Sequence, residues 1–389
     1  MKRCLATGFA AAAVLAASLL PHHRPAFAQA KFETKAKYAF LVDSRSGKAY
    51  FDKRADELMA PASMSKIMTM IVVFEMLKKG VLSEDDEFEI SVNAWKKGGA
   101  PSGSSTMYAK PGERIKLGTL IRAVIIASAN DAAIAIAEGI AGSEDAFAEL
   151  MNKRARELGL KKSTFANATG LPDPRHRMTA RELAQLTRYL IEVFPEYYKI
   201  FSEREFEWNG IKQYNRDPLL GRYPGADGVK TGHTKESGYG MVASAVRDGR
   251  RLIAVLNGMK SKRERAAETR KILDWGFRQF KPVVLYGPGE TVGQARVWGG
   301  VKDTVPLIAK DTIQTRLSDE ERRVADAELV YDGPLRAPLR RGDKVGVLRI
   351  RVDGRTVATF PLYAGEGVEA TEDMWSRAFD TVKFWVFGG

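Results

Sequence analysis

The pattern of apolar and polar positions predicts strands at both ends of a helical middle. Residues 37–43 alternate weakly and are rich in strand-forming residues, and residues 49–51 follow a turn at 44–47 as a return strand. From Met64 to Lys79 the apolar residues leave almost no polar face. Such a pattern predicts a helix that is buried inside a domain.

The middle of the chain carries further helical patterns. Residues 117–141 form a second apolar region, which is broken at residues 128–130. Residues 144–158 and 179–193 predict amphipathic helices, and a T-x-x-E capping box at Thr179 marks the start of the second one.

Strand patterns return after the helical region. Residues 239–246 and 252–256 predict two strands joined by a hairpin turn, and residues 262–280 predict a charged helix with an apolar stripe. Strands that flank a helical middle predict an α/β domain in which a mixed sheet is covered by helices.

The character of the chain changes after Pro282. Short apolar runs alternate there with Gly, Pro and Asp turns, which predicts a small all-β domain over residues 282–369. The runs lie at 283–285, 327–330, 345–352 and 357–362.

The last residues, 370–389, return to helical spacing. Trp375, Phe379, Val382 and Val386 share one face of this predicted amphipathic helix. A helix this short cannot span a bilayer, but its apolar face suits the membrane interface. Docking on the β-rich domain is the alternative, and the pattern leaves both open.

The N-terminus predicts export. A basic start at residues 1–3, an apolar stretch at 5–20 and a small-residue site at 26–28 are the parts of a secretory signal peptide. The alternative, a transmembrane anchor, is disfavoured because the stretch is shorter than the roughly 18–20 residues needed to span. We therefore expect a signal peptide at 1–28, a first domain at 29–281, and a periplasmic protein peripheral to the outer face of the cytoplasmic membrane.

Charge and composition narrow the chemistry. The formal net charge of +13 favours anionic partners such as acidic lipid or cell-wall polymer, but the basic residues are scattered and form no nucleic-acid motif. Cys4, the single cysteine, lies in the predicted signal peptide, which leaves no thiol nucleophile or disulfide. His176 and His233 form no metal-ligand pattern, so we expect neither a metal nor a cofactor.

One serine–lysine pair opens the buried helix. Ser63 and Lys66 are three residues apart, so both lie on one helical face. A serine hydroxyl is a poor nucleophile until a neighbour takes its proton, and a lysine can do so if burial and the nearby Lys230 lower its pKa. The pattern alone is also satisfied by a helix cap beside a solvated lysine, although so apolar a helix disfavours that.

Two more motifs follow in order. Ser128 and Asn130 interrupt the second apolar region, where buried polar groups need partners, whereas the matching Ser91 and Asn93 do not. Lys230-Thr231-Gly232 precedes a strand. It offers an ammonium and a hydroxyl to a carboxylate, and the glycine lets a substrate lie against the backbone.

Ordered S-x-x-K, S-x-N and K-T-G motifs resemble those of penicillin-binding proteins and serine β-lactamases. The residues around these motifs are similar to those of one branch, the low-molecular-weight D-alanyl-D-alanine carboxypeptidases. Residues 35–281 carry the resemblance densely, and it continues more loosely beyond them. The matching segments are 61–63, 110–112, 128–132, 230–234 and 274–277.

The resemblance implies an antiparallel sheet covered by helices and a role for each motif residue. Ser63 would form an acyl-enzyme, with Lys66 as general base and Ser128 as proton relay. Asn130 would bind the substrate amide, and Lys230 with Thr231 would hold the terminal carboxylate.

Further roles follow from the same resemblance. Backbone N–H groups of Ser63 and His233 would form the oxyanion hole, and Gly232 would let the substrate approach. The loop 98–105 would border the site. Arg216 would be a second carboxylate contact, or equally a surface arginine, and the His233 side chain is expected to be positional.

The implied activity is removal of the terminal D-Ala from peptidoglycan stem peptides, with β-lactams as covalent inhibitors. A class A β-lactamase is disfavoured because residues 163–177 contain no glutamate for deacylation. A non-catalytic wall-binding protein is disfavoured because all motif residues are intact. A D,D-endopeptidase that cuts cross-links stays open.

Overall fold

The computed structural model describes residues 32–372. The predicted signal peptide and residues 373–389 of the predicted C-terminal helix lie outside these residues. The chain divides into Met1–Glu33 and Thr34–Gly389, and every element below belongs to the second unit. Its helices are Lys66–Lys78 (α1), Val92–Gly98 (α2), Leu117–Arg122 (α3), Asn130–Ala141 (α4), Glu144–Glu157 (α5), Ala180–Val193 (α6), Pro195–Tyr198 (α7), Lys262–Gln279 (α8) and Asp319–Val324 (α9).

The strands account for the remaining regular structure. They are Tyr38–Asp43 (β1), Ala49–Lys53 (β2), Glu87–Glu89 (β3), Arg114–Lys116 (β4), Glu205–Trp208 (β5), Ile211–Tyr214 (β6), Ala226–Thr234 (β7), Gly238–Arg247 (β8), Arg250–Met259 (β9), Lys281–Tyr286 (β10), Thr291–Trp298 (β11), Thr304–Ile308 (β12), Ile313–Leu317 (β13), Ala325–Val330 (β14), Leu335–Arg336 (β15), Lys344–Val352 (β16) and Arg355–Ala364 (β17).

A five-stranded sheet forms the frame of the catalytic region, in the order β2-β1-β9-β8-β7. Every pairing in it is antiparallel, as the family resemblance implied, so the mixed sheet predicted from the order of strands and helices was wrong. Helix α8 packs on β8 and β9, and α6 packs on β1 and β9. Because β7 is the edge strand, one side of its backbone remains free to pair with another extended chain.

Helix α1 is buried along most of its length, as its pattern predicts. Residues 66–74 are all buried, and Thr69, a polar member of that run, donates to the carbonyl oxygen of Ala168 at 2.8 Å. Each fully buried large apolar side chain here contributes about 1.5–3 kcal/mol to folding. The helix is therefore a rigid platform for the residues at its start.

The second apolar region is divided as predicted. Helix α3 continues into a π-helical turn at Ala123–Ala127, and Ser128 then adopts a left-handed conformation with φ 60°. Helix α4 begins at Asn130. A π-helical turn of this kind is often associated with a functional site.

The predicted capping box of α6 is half correct. Thr179 caps the helix by accepting a hydrogen bond from the backbone N–H of Glu182. The Glu182 carboxylate does not bond back to the cap, because it instead accepts hydrogen bonds from Lys161, Lys162 and Ser163 in the preceding loop.

The C-terminal region is all-β apart from the short helix α9, and has its own apolar core. Strands β10, β14, β16 and β17 correspond to the four predicted apolar runs. A six-stranded sheet has the order β14-β16-β17-β12-β11-β15, and β10 pairs with β13 separately. Within residues 32–372 no helix combines the length and apolar character that crossing a membrane requires.

Candidate active site

Ser63 lies in a short 3₁₀ turn, Ala62–Ser65, that leads directly into α1. Two glycines allow this turn to pack closely. A Cβ on Gly170, whose φ is +74°, would stand 2.1 Å from the carbonyl oxygen of Ala62, and a Cβ on Gly232 would stand 2.9 Å from that of Pro61. Ser63 is half-buried at the floor of a cavity of about 630 Å³.

Lys66 is the first residue of α1 and is 1% exposed. Its Nζ lies 3.1 Å from Ser63 Oγ, 2.6 Å from Asn130 Oδ1 and 2.5 Å from the carbonyl oxygen of Thr169. A neutral amine has two N–H bonds and one lone pair. Asn130 and Thr169 accept two N–H bonds, which leaves the lone pair for the Ser63 hydroxyl.

Burial favours the neutral form of the Lys66 amine. Burial, reinforced by the Arg216 guanidinium, lowers the pKa of Lys66 from 10.5 to about 7. Lys230 was expected to lower the pKa of Lys66, but burial has the largest effect and the Arg216 guanidinium has the second largest. The pKa of Lys230 is itself lowered well below its ordinary value, by burial and then by Lys66. Two buried amines this close favour an uncharged state.

Ser128 and Lys230 form a second polar pair. Lys230 Nζ donates to Ser128 Oγ at 2.8 Å and to the carbonyl oxygen of Thr231 at 3.3 Å. The left-handed backbone of Ser128 holds its hydroxyl between the π-helical turn and the start of α4. The hydroxyl thus borders the cavity beside a buried amine.

Asn130 joins the first pair to the loop 98–105. Its Oδ1 accepts from Lys66, its Nδ2 donates to Ser104 Oγ at 2.9 Å, and its backbone N–H donates to the carbonyl oxygen of Ser105 at 2.7 Å. The matching Ser91 and Asn93 have structural partners elsewhere. Ser91 caps α2, and Asn93 donates to Glu138 at 2.7 Å.

Strand β7 supplies the other wall of the cavity. Thr231, Gly232 and His233 line it, and the exposed His233 ring stacks on Tyr239 with ring centroids 3.9 Å apart. Partial burial lowers the pKa of His233, and Arg265 and Lys262 lower it further.

Arg216 lies in the same cavity as the motif residues. Its Nη1 donates to Ser105 Oγ, and its guanidinium faces the space between the loop 98–105 and β7. Burial lowers the pKa of this arginine. All nine residues that the sequence selected are therefore brought together around one cleft.

Several contacts had no signal in the sequence. Lys262 and Arg265 belong to helix α8, whose pattern predicts only a charged helix with an apolar stripe, yet both line the cavity. The carbonyl oxygen of Thr169 is a backbone group, so no residue pattern marks it. Ser104 and Ser105 fall in the loop that was expected to border the site, but their individual hydrogen bonds were not anticipated.

The loop 163–177 contains no glutamate, so it places no glutamate carboxylate near Ser63. Glu182, the glutamate that reaches this loop, accepts hydrogen bonds from Ser163 and its neighbours and does not line the cavity. Among residues 32–372 no group of three or more histidine, cysteine, aspartate or glutamate residues could hold a metal ion.

Comparisons with known proteins agree with this geometry. Residues 25–261 match the peptidase family described as D-alanyl-D-alanine carboxypeptidase, and residues 280–370 match the C-terminal domain of penicillin-binding protein 5. D-alanyl-D-alanine carboxypeptidase DacC of Escherichia coli is 40% identical over 337 residues, which cover 86% of this chain and 84% of the relative.

Solved structures of related proteins are also similar to this chain. Penicillin-binding protein 5 from Haemophilus influenzae aligns with a TM-score of 0.74 at 34% identity, over 87% of this chain and 99% of that chain. Penicillin-binding protein D2 from Listeria monocytogenes, in its ampicillin-bound form, aligns with a TM-score of 0.56 at 29% identity, over 64% of this chain and 100% of that chain. The chain therefore belongs to the D-alanyl-D-alanine carboxypeptidase family of serine peptidases, hydrolases of the penicillin-binding protein 5 type.

Proposed function

We propose that Ser63 is the nucleophile of this carboxypeptidase and that Lys66 is the base that activates it. The observation that carries the proposal is the position of Lys66 Nζ, 3.1 Å from Ser63 Oγ with two other acceptors for its N–H bonds. As Ser63 Oγ attacks the carbonyl carbon of the penultimate D-Ala, its proton passes to the lone pair of Lys66. The first turn of a helix also orients backbone N–H groups toward developing negative charge.

The tetrahedral intermediate and its collapse use the remaining motif residues. The backbone N–H groups of Ser63 and His233 stabilise the oxyanion, and Asn130 holds the substrate amide. When the C–N bond breaks, Lys66 returns this proton through the Ser128 hydroxyl, which lies 2.8 Å from Lys230 Nζ, to the leaving amine of the terminal D-Ala. Water then attacks the ester of the acyl-enzyme. Lys66 accepts a proton from the water and passes it to Ser63 Oγ as the ester bond breaks, and the shortened peptide is released.

Recognition of the terminal carboxylate falls to Lys230, Thr231 and Arg216, while Gly232 leaves room for the substrate backbone. Lys230 has a lowered pKa in the free enzyme because it is buried beside Lys66. A carboxylate that enters the cleft favours the protonated form of Lys230, since an opposite charge nearby raises the pKa of an amine. The substrate carboxylate thus promotes protonation of Lys230, and the protonated amine then binds that carboxylate.

The proposed substrate is the stem peptide of peptidoglycan, and β-lactams are expected to acylate Ser63 in place of it. Support for the second statement comes from the ampicillin-bound penicillin-binding protein D2, which shares this fold. The competing activity is cleavage of cross-links, in which the scissile bond joins D-Ala to the side-chain amine of a neighbouring stem peptide instead of to a terminal D-Ala. Release of D-alanine from a pentapeptide, compared with cleavage of a cross-linked dimer, tests the proposal. Faster cleavage of the dimer would contradict it.

The cellular setting is also a proposal. We infer that residues 1–28 direct export, that residues 29–281 and 282–369 form separate catalytic and β-rich domains, and that residues 370–389 attach the enzyme to the outer face of the cytoplasmic membrane. The sequence patterns support these assignments, and the substrate that the family acts on supports an extracytoplasmic location. The test for the helix is given in the Discussion.

A further inference from the structure

A second groove, of about 550 Å³, opens beside the active-site cavity. It lies between the start of β1, the turn that joins β7 to β8, and the end of β9. His233, Thr234 and Tyr239 line both the groove and the cavity, so the two spaces are continuous. None of the roles proposed above uses the far part of this groove.

The order of residues along β7 gives the groove a place in substrate binding, on the premise of the proposed function. Thr231 would hold the terminal carboxylate, and Ser63 would attack the preceding carbonyl group. A peptide that lies along the free edge of β7 then continues past Gly232 and His233 toward Thr234. The residues upstream of the scissile bond therefore reach the groove.

The groove is strongly cationic. Lys37, Lys235, Lys260 and Arg177 line it together with one carboxylate, that of Glu236. Arg177 is paired with Glu236 at 2.8 Å. The three lysines are exposed and have no ion-pair partner within residues 32–372.

We propose that this groove binds a carboxylate that the substrate carries upstream of its D-Ala-D-Ala terminus, and so selects acidic peptides. The lysines attract the carboxylate through solvent, which gives a modest and salt-dependent preference rather than an absolute requirement. The substrate class of the enzyme is then an acidic peptide with a D-Ala-D-Ala end. A neutral peptide with the same end is cleaved more slowly.

The experiment uses two synthetic peptides with the same D-Ala-D-Ala end. One has a γ-linked D-glutamate with a free carboxylate two residues before the penultimate D-Ala, and the other has D-isoglutamine there. Full-length enzyme is expected to cleave the acidic peptide with a kcat/KM about three- to tenfold higher, and added salt should reduce that ratio.

The variant Lys235→Glu with Lys260→Glu should bring the ratio to one or below. The matched control is Lys153→Glu, an exposed lysine on α5 that makes the same charge change away from the groove. Acylation by benzylpenicillin, whose side chain is uncharged, should stay within about twofold in all variants, which also reports that they are folded.

Equal kcat/KM for the two peptides in the unaltered enzyme would overturn the inference, and so would an unchanged ratio in the double variant. Inhibition of both peptides equally by an anionic wall polymer, with no preference between them, would assign the lysines to that polymer instead. Failure of the proposed function looks different, because then neither peptide is cleaved and Ser63 is not acylated.

Discussion

In the proposed mechanism, the pKa of Lys66 decides how fast Ser63 can be acylated. The decisive change is Lys66→Arg, because an arginine keeps the positive charge but has no lone pair that can accept the serine proton at any accessible pH. The neutral amine is the reactive form, so the rate should fall as the pH drops through the pKa of Lys66.

The size of the effect follows from the burial of the lysine. An amine with an ordinary pKa would be neutral in only about 0.03% of molecules at pH 7. Burial lowers the pKa of Lys66 to about 7. About half of the molecules are then reactive at pH 7, a gain of roughly a thousandfold. Lys66→Arg should therefore reduce the acylation rate by about a thousandfold or more.

The assay is the second-order rate constant for acylation by a fluorescent penicillin between pH 5.5 and 9. In the unaltered enzyme this rate should rise about tenfold from pH 6 to pH 8 and then level off. Lys230→Arg is the matched control, because it changes the neighbouring amine but leaves Lys66 as the base. Its profile should keep the rising limb, displaced to lower pH by the permanent charge of the arginine.

Three results would refute this reasoning. A rate that is flat between pH 6 and pH 8 would mean that no group with a pKa near 7 takes the proton. Acylation of Lys66→Arg within tenfold of the unaltered rate would mean that another base serves Ser63. Loss of the rising limb in Lys230→Arg, with the limb kept in Lys66→Arg, would assign the base to Lys230.

Three further predictions concern the substrate, the packing of the site and the C-terminus. Amidation of the terminal D-Ala should lower kcat/KM by about 1.5–3 kcal/mol in transition-state binding, because an ionic hydrogen bond is lost, and equal values for free-acid and amidated peptides would argue for an endopeptidase. Gly170→Ala should abolish penicillin acylation and lower Tm, because its Cβ would stand 2.1 Å from the Ala62 carbonyl oxygen. Gly159 is the matched control, because it has a similar φ of +79° and an added Cβ would meet no atom closer than 3.7 Å. Gly159→Ala should therefore cost only the backbone strain of about 1–2 kcal/mol and keep activity. Equal damage from both changes would contradict the packing argument. Deletion of residues 372–389 should release the enzyme from membranes with hydrolysis intact, whereas loss of thermal stability without any vesicle binding by the full chain would make the helix structural.

Long apolar segments with clear end signals were predictable from the sequence. Helix α1 is apolar on nearly every face, and a turn at residues 247–250 joins the apolar strands β8 and β9, and both elements formed as predicted. Strands β11, β12 and β13 were missed. All three strands are partly exposed, and β12 and β13 have five residues each, so their apolar residues do not stand out from the turns around them.

The active site was predictable where a side chain in a motif supplies the contact. Ser63, Lys66 and Asn130 met as the ordered motifs implied. The carbonyl oxygen of Thr169 and the side chain of Arg265 could not be selected in the same way. The first is a backbone group, and the second reaches the cavity only because α8 packs on the central sheet.

Burial of two lysine amines at the site is unfavourable for folding, and no pattern of residues in the sequence reveals it. Lys66 is 1% exposed and Lys230 is 3% exposed, so two amines lie in surroundings that disfavour their charged forms. A sequence shows that both lysines are present, but only the packing of α1, α4 and β7 shows how completely water is excluded. In the proposed mechanism, the reactivity of Ser63 depends on that exclusion.

The central claim is that Ser63 forms the acyl-enzyme, and mass spectrometry of the intact protein after exposure to benzylpenicillin tests it most directly. The account predicts one penicilloyl group per molecule, located on Ser63 by peptide mapping, and no adduct in Ser63→Ala. Ser65 is fully buried and donates to the carbonyl oxygen of Ala62, and Ser128 is 2% exposed, so neither should react. An adduct on Ser65 or Ser128, or an undiminished adduct in Ser63→Ala, would contradict the account.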